Sequence, residues 1–102
     1  MKCRGDPTAW KASIAFLQER MELEKSQVLD IGFGSGGFSL ALGQHAQKVV
    51  NFDIRLNETR NFRSVVDRDN IDNILVSRAD ANNMPYRERS FDLVVLLSLI
   101  HI

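Results

Sequence analysis

Ten residues, Val28-Leu29-Asp30-Ile31-Gly32-Phe33-Gly34-Ser35-Gly36-Gly37, constrain this chain more than any other feature. A short apolar run stops at glycine and gives way to Phe38-Ser39-Leu40-Ala41-Leu42, which reads as strand, tight turn and helix. Glycines at 32, 34 and 36 allow backbone dihedrals closed to other residues and leave no side chain between backbone and ligand. A ligand crossing the carboxyl ends of the strands can then bring an anionic group to the free N–H groups of the next helix.

Around that turn, strands and helices alternate. Asp6-Pro7 fits a helix start, with aspartate as cap and proline at the first helical position. Trp10, Ile14, Leu17 and Met21 follow at helical spacing and form one apolar stripe. A polar stretch from Glu22 to Gln27 leads into the first strand. The second helix runs to about Gln47, the second strand covers 49–54, and a third helix runs from about 57 to 68 with Phe62 and Val65 facing inward. A third strand covers 74–79, a polar loop 80–90 and a fourth strand 91–100.

This order predicts an α/β fold: a parallel sheet flanked by helices, with right-handed crossovers. The fourth strand is apolar from Leu93 to Ile100 except for Ser98, which reads as burial on both faces. The sequence shows no repeat or linker, so residues 1–102 are expected to form a single domain. A helical region at 6–24 precedes a β-α-β-α-β-β core at 27–102.

Charge narrows the partners. Thirteen basic and thirteen acidic residues give no net field toward nucleic acid or an anionic membrane. Arg55, Arg60, Arg63 and Arg68 are interleaved with Glu58, Asp67 and Asp69, the pattern of a solvated helix face. No apolar run is long enough to span a bilayer. One cysteine, Cys3, forms no internal disulfide and fits a free thiol in the cytoplasm. No metal site is expected.

Gly32, Gly34 and Gly37 also satisfy a dinucleotide fingerprint, so the glycines alone do not choose the ligand. Asp30 helps to choose. A carboxylate about 5 Å from a unit charge is worth roughly 3 kcal/mol at an effective dielectric of about 20, with its sign set by the ligand. Adenosylmethionine brings an ammonium and a sulfonium, whereas a dinucleotide brings a doubly negative pyrophosphate, so Asp30 favours the former. A carboxylate that only braces the loop remains the alternative. Asp53 ends the second strand, where an acid reaches a ribose diol, although it could instead cap the next helix.

The third strand closes with Ala79-Asp80-Ala81, followed by Met84-Pro85-Tyr86 and Ser90-Phe91-Asp92. With the glycine loop and Asp53, this set resembles class I S-adenosylmethionine-dependent methyltransferases, notably the small-molecule type 11-like group. The resemblance covers about Gln27 to Val95 and implies a Rossmann-like α/β sheet, here strands 1–4 in the order 3-2-1-4, with roles residue by residue. Asp30, Gly32, Gly34 and Gly36 would surround the methionine part of S-adenosyl-L-methionine, and Asp53 would bind its ribose. Asp80 would accept from the adenine amino group, Ala81 would offer its backbone N–H, and Phe33 and Ile54 would be apolar walls. Phe91 and Asp92 would be structural.

The implied activity is methyl transfer to a small-molecule acceptor, with no catalytic base identified. His101 and His45 are weak candidates. The family pattern continues past residue 102, so the chain is expected to be the cofactor-binding half, inactive alone. Its open fourth-strand edge would then invite self-association or a complementing second chain. A non-catalytic adenosylmethionine-binding module and an NAD(P)-binding oxidoreductase domain are the rival readings.

Overall fold

The computed structural model describes residues 10–31, 36–53, 55–78 and 91–96. Four short strands carry the fold: β1 (Gln27–Ile31), β2 (Lys48–Asp53), β3 (Ile74–Arg78) and β4 (Leu93–Leu96). All pair in parallel, in the order β3-β2-β1-β4. Between them lie α2 (Gly37–Gly43) and α3 (Leu56–Arg68), with α1 (Lys11–Gln18) ahead of the sheet. The expected α/β class and strand order are both observed.

Register sorts the side chains into two faces. Val28, Asp30, Val49, Asn51, Ile74, Val76 and Val95 share one face, since each is aligned with a neighbour of the same parity. Ile14 of α1, Phe38 and Leu42 of α2, and Phe62 and Val66 of α3 join the apolar members of that face in one core. Trp10 stacks at a tilt on Phe38 with ring centroids 5.0 Å apart, which docks the start of α1 on α2. The stripe read from the sequence is thus a packing face: Ile14 is buried, and Trp10, Leu17 and Met21 lean on the same core.

The opposite face buries Leu29, Ile31, Val50 and Phe52, with Phe91 packed beside them. On its outer strands, Leu75 and Val94 remain 49% and 51% exposed. Burial of the fourth strand on both faces is therefore corrected: among the described residues, α1, α2 and α3 all contribute to the core of one face, and Val94 faces outward. The centre of the opposite face is buried, but Val94 on the outer strand is half-exposed, so the apolar run overstated how much covering the strand receives.

Local chemistry moves several boundaries. The stretch expected to be a polar connector contains a 3-10 turn at Leu23–Lys25, in which Leu23 is almost fully buried. Helix α2 ends at Gly43 rather than near Gln47, because Asn73 Nδ2 takes the carbonyls of Gly43 and Ala46 at 2.7 and 3.2 Å. The chain then turns so that the N–H groups of Gln47 and Lys48 donate to Ser26 O. Phe62 and Val65 face inward on α3 as expected. Asp6 and Pro7, residues 79–90 and residues 97–102 lie outside the described residues. Among the described residues no helix is long and apolar enough to cross a membrane, and no cluster of potential metal ligands occurs.

Candidate functional site

The carboxyl ends of β1 and β2 bring two acids to the helix-covered face. Asp30 is aligned with Asn51, and Asp53 lies two residues further along the same face of β2. Both carboxylates are buried, at 3% and 5% exposure, although ordinary acids of this size stay in water unless paired. Their surroundings differ, and so does what each can still bind.

Asp30 Oδ2 accepts from Ser39 Oγ at 2.5 Å, while its buried Oδ1 has no hydrogen-bond partner among the described residues. Leaving such an atom unpaired costs about 1–3 kcal/mol. Burial pushes the Asp30 carboxyl up from 3.8 to about 6, and the Ser39 bond opposes that rise. A nearby positive charge would reverse the penalty by stabilising the ionised form.

Asp53 is held by its own neighbour. Its Oδ1 accepts from the Arg55 backbone N–H at 2.9 Å, and the Arg55 guanidinium bonds both oxygens at 3.4 and 3.2 Å. Arg55 is shared with Glu58 at 3.7 Å on the first turn of α3. The backbone contact makes Asp53 a local brace at the entrance to α3. A carboxylate has about four lone-pair sites, so a diol could still be accommodated beside these donors.

Gly36 stands at the amino end of α2 with φ of +89°, a conformation costly for any residue with a Cβ. A Cβ there would fall into the Phe62 ring, so this glycine admits close approach of α3 as well as the turn itself. Gly32, Phe33, Gly34, Ile54, Asp80 and Ala81, the other site residues read from the sequence, lie outside the described residues, as does His101. His45 is exposed and meets Gln18 Nε2 at 3.4 Å through its Nδ1.

Two residues that sequence reasoning passed over belong to this corner, Ser39 and Asn51, and both carried a signal. Asn51 interrupts the otherwise apolar Val49-Val50-Asn51-Phe52, and Ser39 sits between Phe38 and Leu40 on a helix that should turn only apolar groups inward. Asp92 does what its position at a strand start suggested. Its Oδ2 accepts from Gln27 N at 2.8 Å and its own N–H donates to Gln27 O at 2.8 Å, clamping β4 to β1 at the end remote from Asp30.

A parallel sheet in 3-2-1-4 order, flanked by helices and with acids at the ends of β1 and β2, is a Rossmann-like arrangement. Residues 28–102 match the methyltransferase domain family, and the chain belongs to that family. Among solved structures it resembles the PH0226 protein of Pyrococcus horikoshii with a TM-score of 0.73 and 26% identity, covering 85% of this chain and 40% of that one. It also resembles an S-adenosylmethionine-dependent methyltransferase of Aquifex aeolicus (TM-score 0.72, 21% identity, 89% and 56% covered). A third is the phosphoethanolamine N-methyltransferase 1 of Haemonchus contortus in complex with phosphoethanolamine and S-adenosylhomocysteine (TM-score 0.68, 25% identity, 92% and 20% covered). The chain therefore spans between 20% and 56% of the length of these three proteins. No curated protein matches it.

Proposed function

We propose that this chain is the cofactor-binding portion of an S-adenosyl-L-methionine-dependent methyltransferase acting on a small-molecule acceptor. The observation that carries the reading is the Oδ1 of Asp30, buried and without a partner among the described residues. A cationic methionine end supplies the missing partner, whereas a pyrophosphate would meet a carboxylate. Asp53 then accepts from the ribose hydroxyls alongside Arg55. Asp80 and Ala81 take the adenine edge, Gly32, Gly34 and Gly36 line the methionine part, and Phe33 and Ile54 form apolar walls.

When bound, the cofactor supplies an electrophilic methyl group to an acceptor attacking in line. The residues of this chain contribute orientation, holding the donor by its ribose and by its amino-acid end. The acceptor reading is supported by the phosphoethanolamine held by the Haemonchus contortus relative. The even charge balance fits a small molecule better than a polyanion, and a cytoplasmic location fits the lone Cys3. Among the described residues β4 pairs only with β1, which supports association with another copy or a complementing chain along its other edge.

Calorimetric titration with S-adenosylmethionine, S-adenosylhomocysteine and NAD tests the assignment. Tighter binding of the first two is expected. Preferential binding of NAD would replace it with the oxidoreductase reading.

A further inference from the structure

Asp30 is the end of a hydrogen-bonded chain drawn from three elements. Asn51 Nδ2 on β2 donates to Ser39 Oγ on α2 at 2.9 Å, and Ser39 donates in turn to Asp30 Oδ2 on β1. Chemistry fixes this direction, because an amide nitrogen only donates and the hydroxyl has one proton, which must therefore go to the carboxylate. Ser39 is fully buried, and Asn51 lies in register beside Asp30. Two polar side chains, one buried and one half-buried, thus serve one carboxylate oxygen, and the other has no partner among the described residues.

We propose that Ser39 and Asn51 are positioning residues for the cationic end of the cofactor. By fixing Oδ2 they set the rotamer of Asp30 and keep Oδ1 as the remaining acceptor. The inference rests on the cofactor reading above and extends it to two residues outside the glycine motif.

The surroundings make the effect separable. Helix α2 carries no titratable side chain, and the β4 neighbour of Asp30 is Val95. Helix α3 turns Thr59, Phe62, Val65 and Val66 inward. The next acid on this face of β2, Asp53, is paired with Arg55, which also meets Glu58. Removing the Ser39 hydroxyl removes the bond that favours ionised Asp30, so the pH below which a cation is lost moves upward.

The test titrates wild type, Ser39→Ala and Asn51→Ala with S-adenosylmethionine and with methylthioadenosine, which retains the adenosine but lacks the ammonium and sulfonium. Thermal melts establish that each variant folds, and Asn51→Ala carries the test if Ser39→Ala does not. Near neutral pH, Ser39→Ala is expected to weaken adenosylmethionine binding about 5- to 20-fold and methylthioadenosine binding less than about 2-fold. The low-pH fall in adenosylmethionine affinity should begin about one pH unit higher. Asn51→Ala should show the same selectivity at smaller amplitude. Equal losses for the two ligands, or no loss, would overturn the positioning role. A wild-type chain that binds neither ligand would overturn the cofactor reading and this inference with it.

Discussion

Replacing Asp30 by asparagine should make the ligand-free protein more stable and the cofactor weaker. In the folded chain burial holds the Asp30 carboxyl near pH 6 against 3.8 ordinarily. At about 1.36 kcal/mol for each pKa unit, the ionised group costs the fold roughly 3 kcal/mol well above pH 6. The raised value fixes the sign. Between about pH 4 and pH 6 the folded state keeps a proton that the unfolded chain has released, so this group adds stability as pH falls through that window. The contribution is complete below the unfolded value and lost above the folded one. Asp30→Asn removes the charge and leaves a side chain that can still bond Ser39, so a gain of about 1–3 kcal/mol is expected near pH 7.5. In a domain this size that is roughly 4–8 °C in Tm per kcal/mol. Denaturation of both proteins at about pH 7.5 and about pH 4.5 should show the advantage of the variant shrinking in acid. Its affinity for S-adenosylmethionine should fall about tenfold or more. A variant less stable than wild type at the higher pH would refute the claim that Asp30 carries an uncompensated charge.

Other substitutions probe the rest of the corner. Gly36→Ala forces a Cβ into a left-handed conformation and against Phe62, and should cost about 2–4 kcal/mol in chemical denaturation. Asp53→Ala should weaken S-adenosylhomocysteine binding by about 1.5–3 kcal/mol in calorimetry while the fold persists. Unchanged affinity would leave Asp53 as a brace for Arg55 alone. Asn73→Ala removes both carbonyl contacts at the end of α2 and should lower stability by about 1–2 kcal/mol, with ligand affinity unaltered.

The parallel alternation of strands and helices was legible because it follows from local signals: short apolar runs, a glycine turn, and the handedness rule for parallel crossovers. The strand order came with the family resemblance rather than from these signals. Asp30 and Asp53 were legible because each occupies the last turn-facing position of a strand. Other features depend on partners distant in sequence. Gln47 continues an apparent helix until Asn73, thirty residues beyond Gly43, takes the carbonyls that the helix would have used. Leu23 sits in a polar stretch and declares itself only once the core closes over it. Ser39 and Asn51 look like lapses in hydrophobic patterning until the sheet places them beside a buried acid. Val94 failed in the other direction, since its apolar neighbours suggested a covering element that the three helices on the other face do not supply.

The central claim is that the carboxyl ends of β1 and β2 hold the two ends of one cofactor. A crystal structure of the protein grown with S-adenosylhomocysteine tests it most directly. The account predicts the ribose hydroxyls within hydrogen-bond distance of the Asp53 carboxylate and the ligand ammonium beside the glycine turn, with Asp30 Oδ1 its nearest buried acceptor. A ligand bound elsewhere, with Asp53 occupied by Arg55 alone and Asp30 Oδ1 still unpartnered, would contradict it.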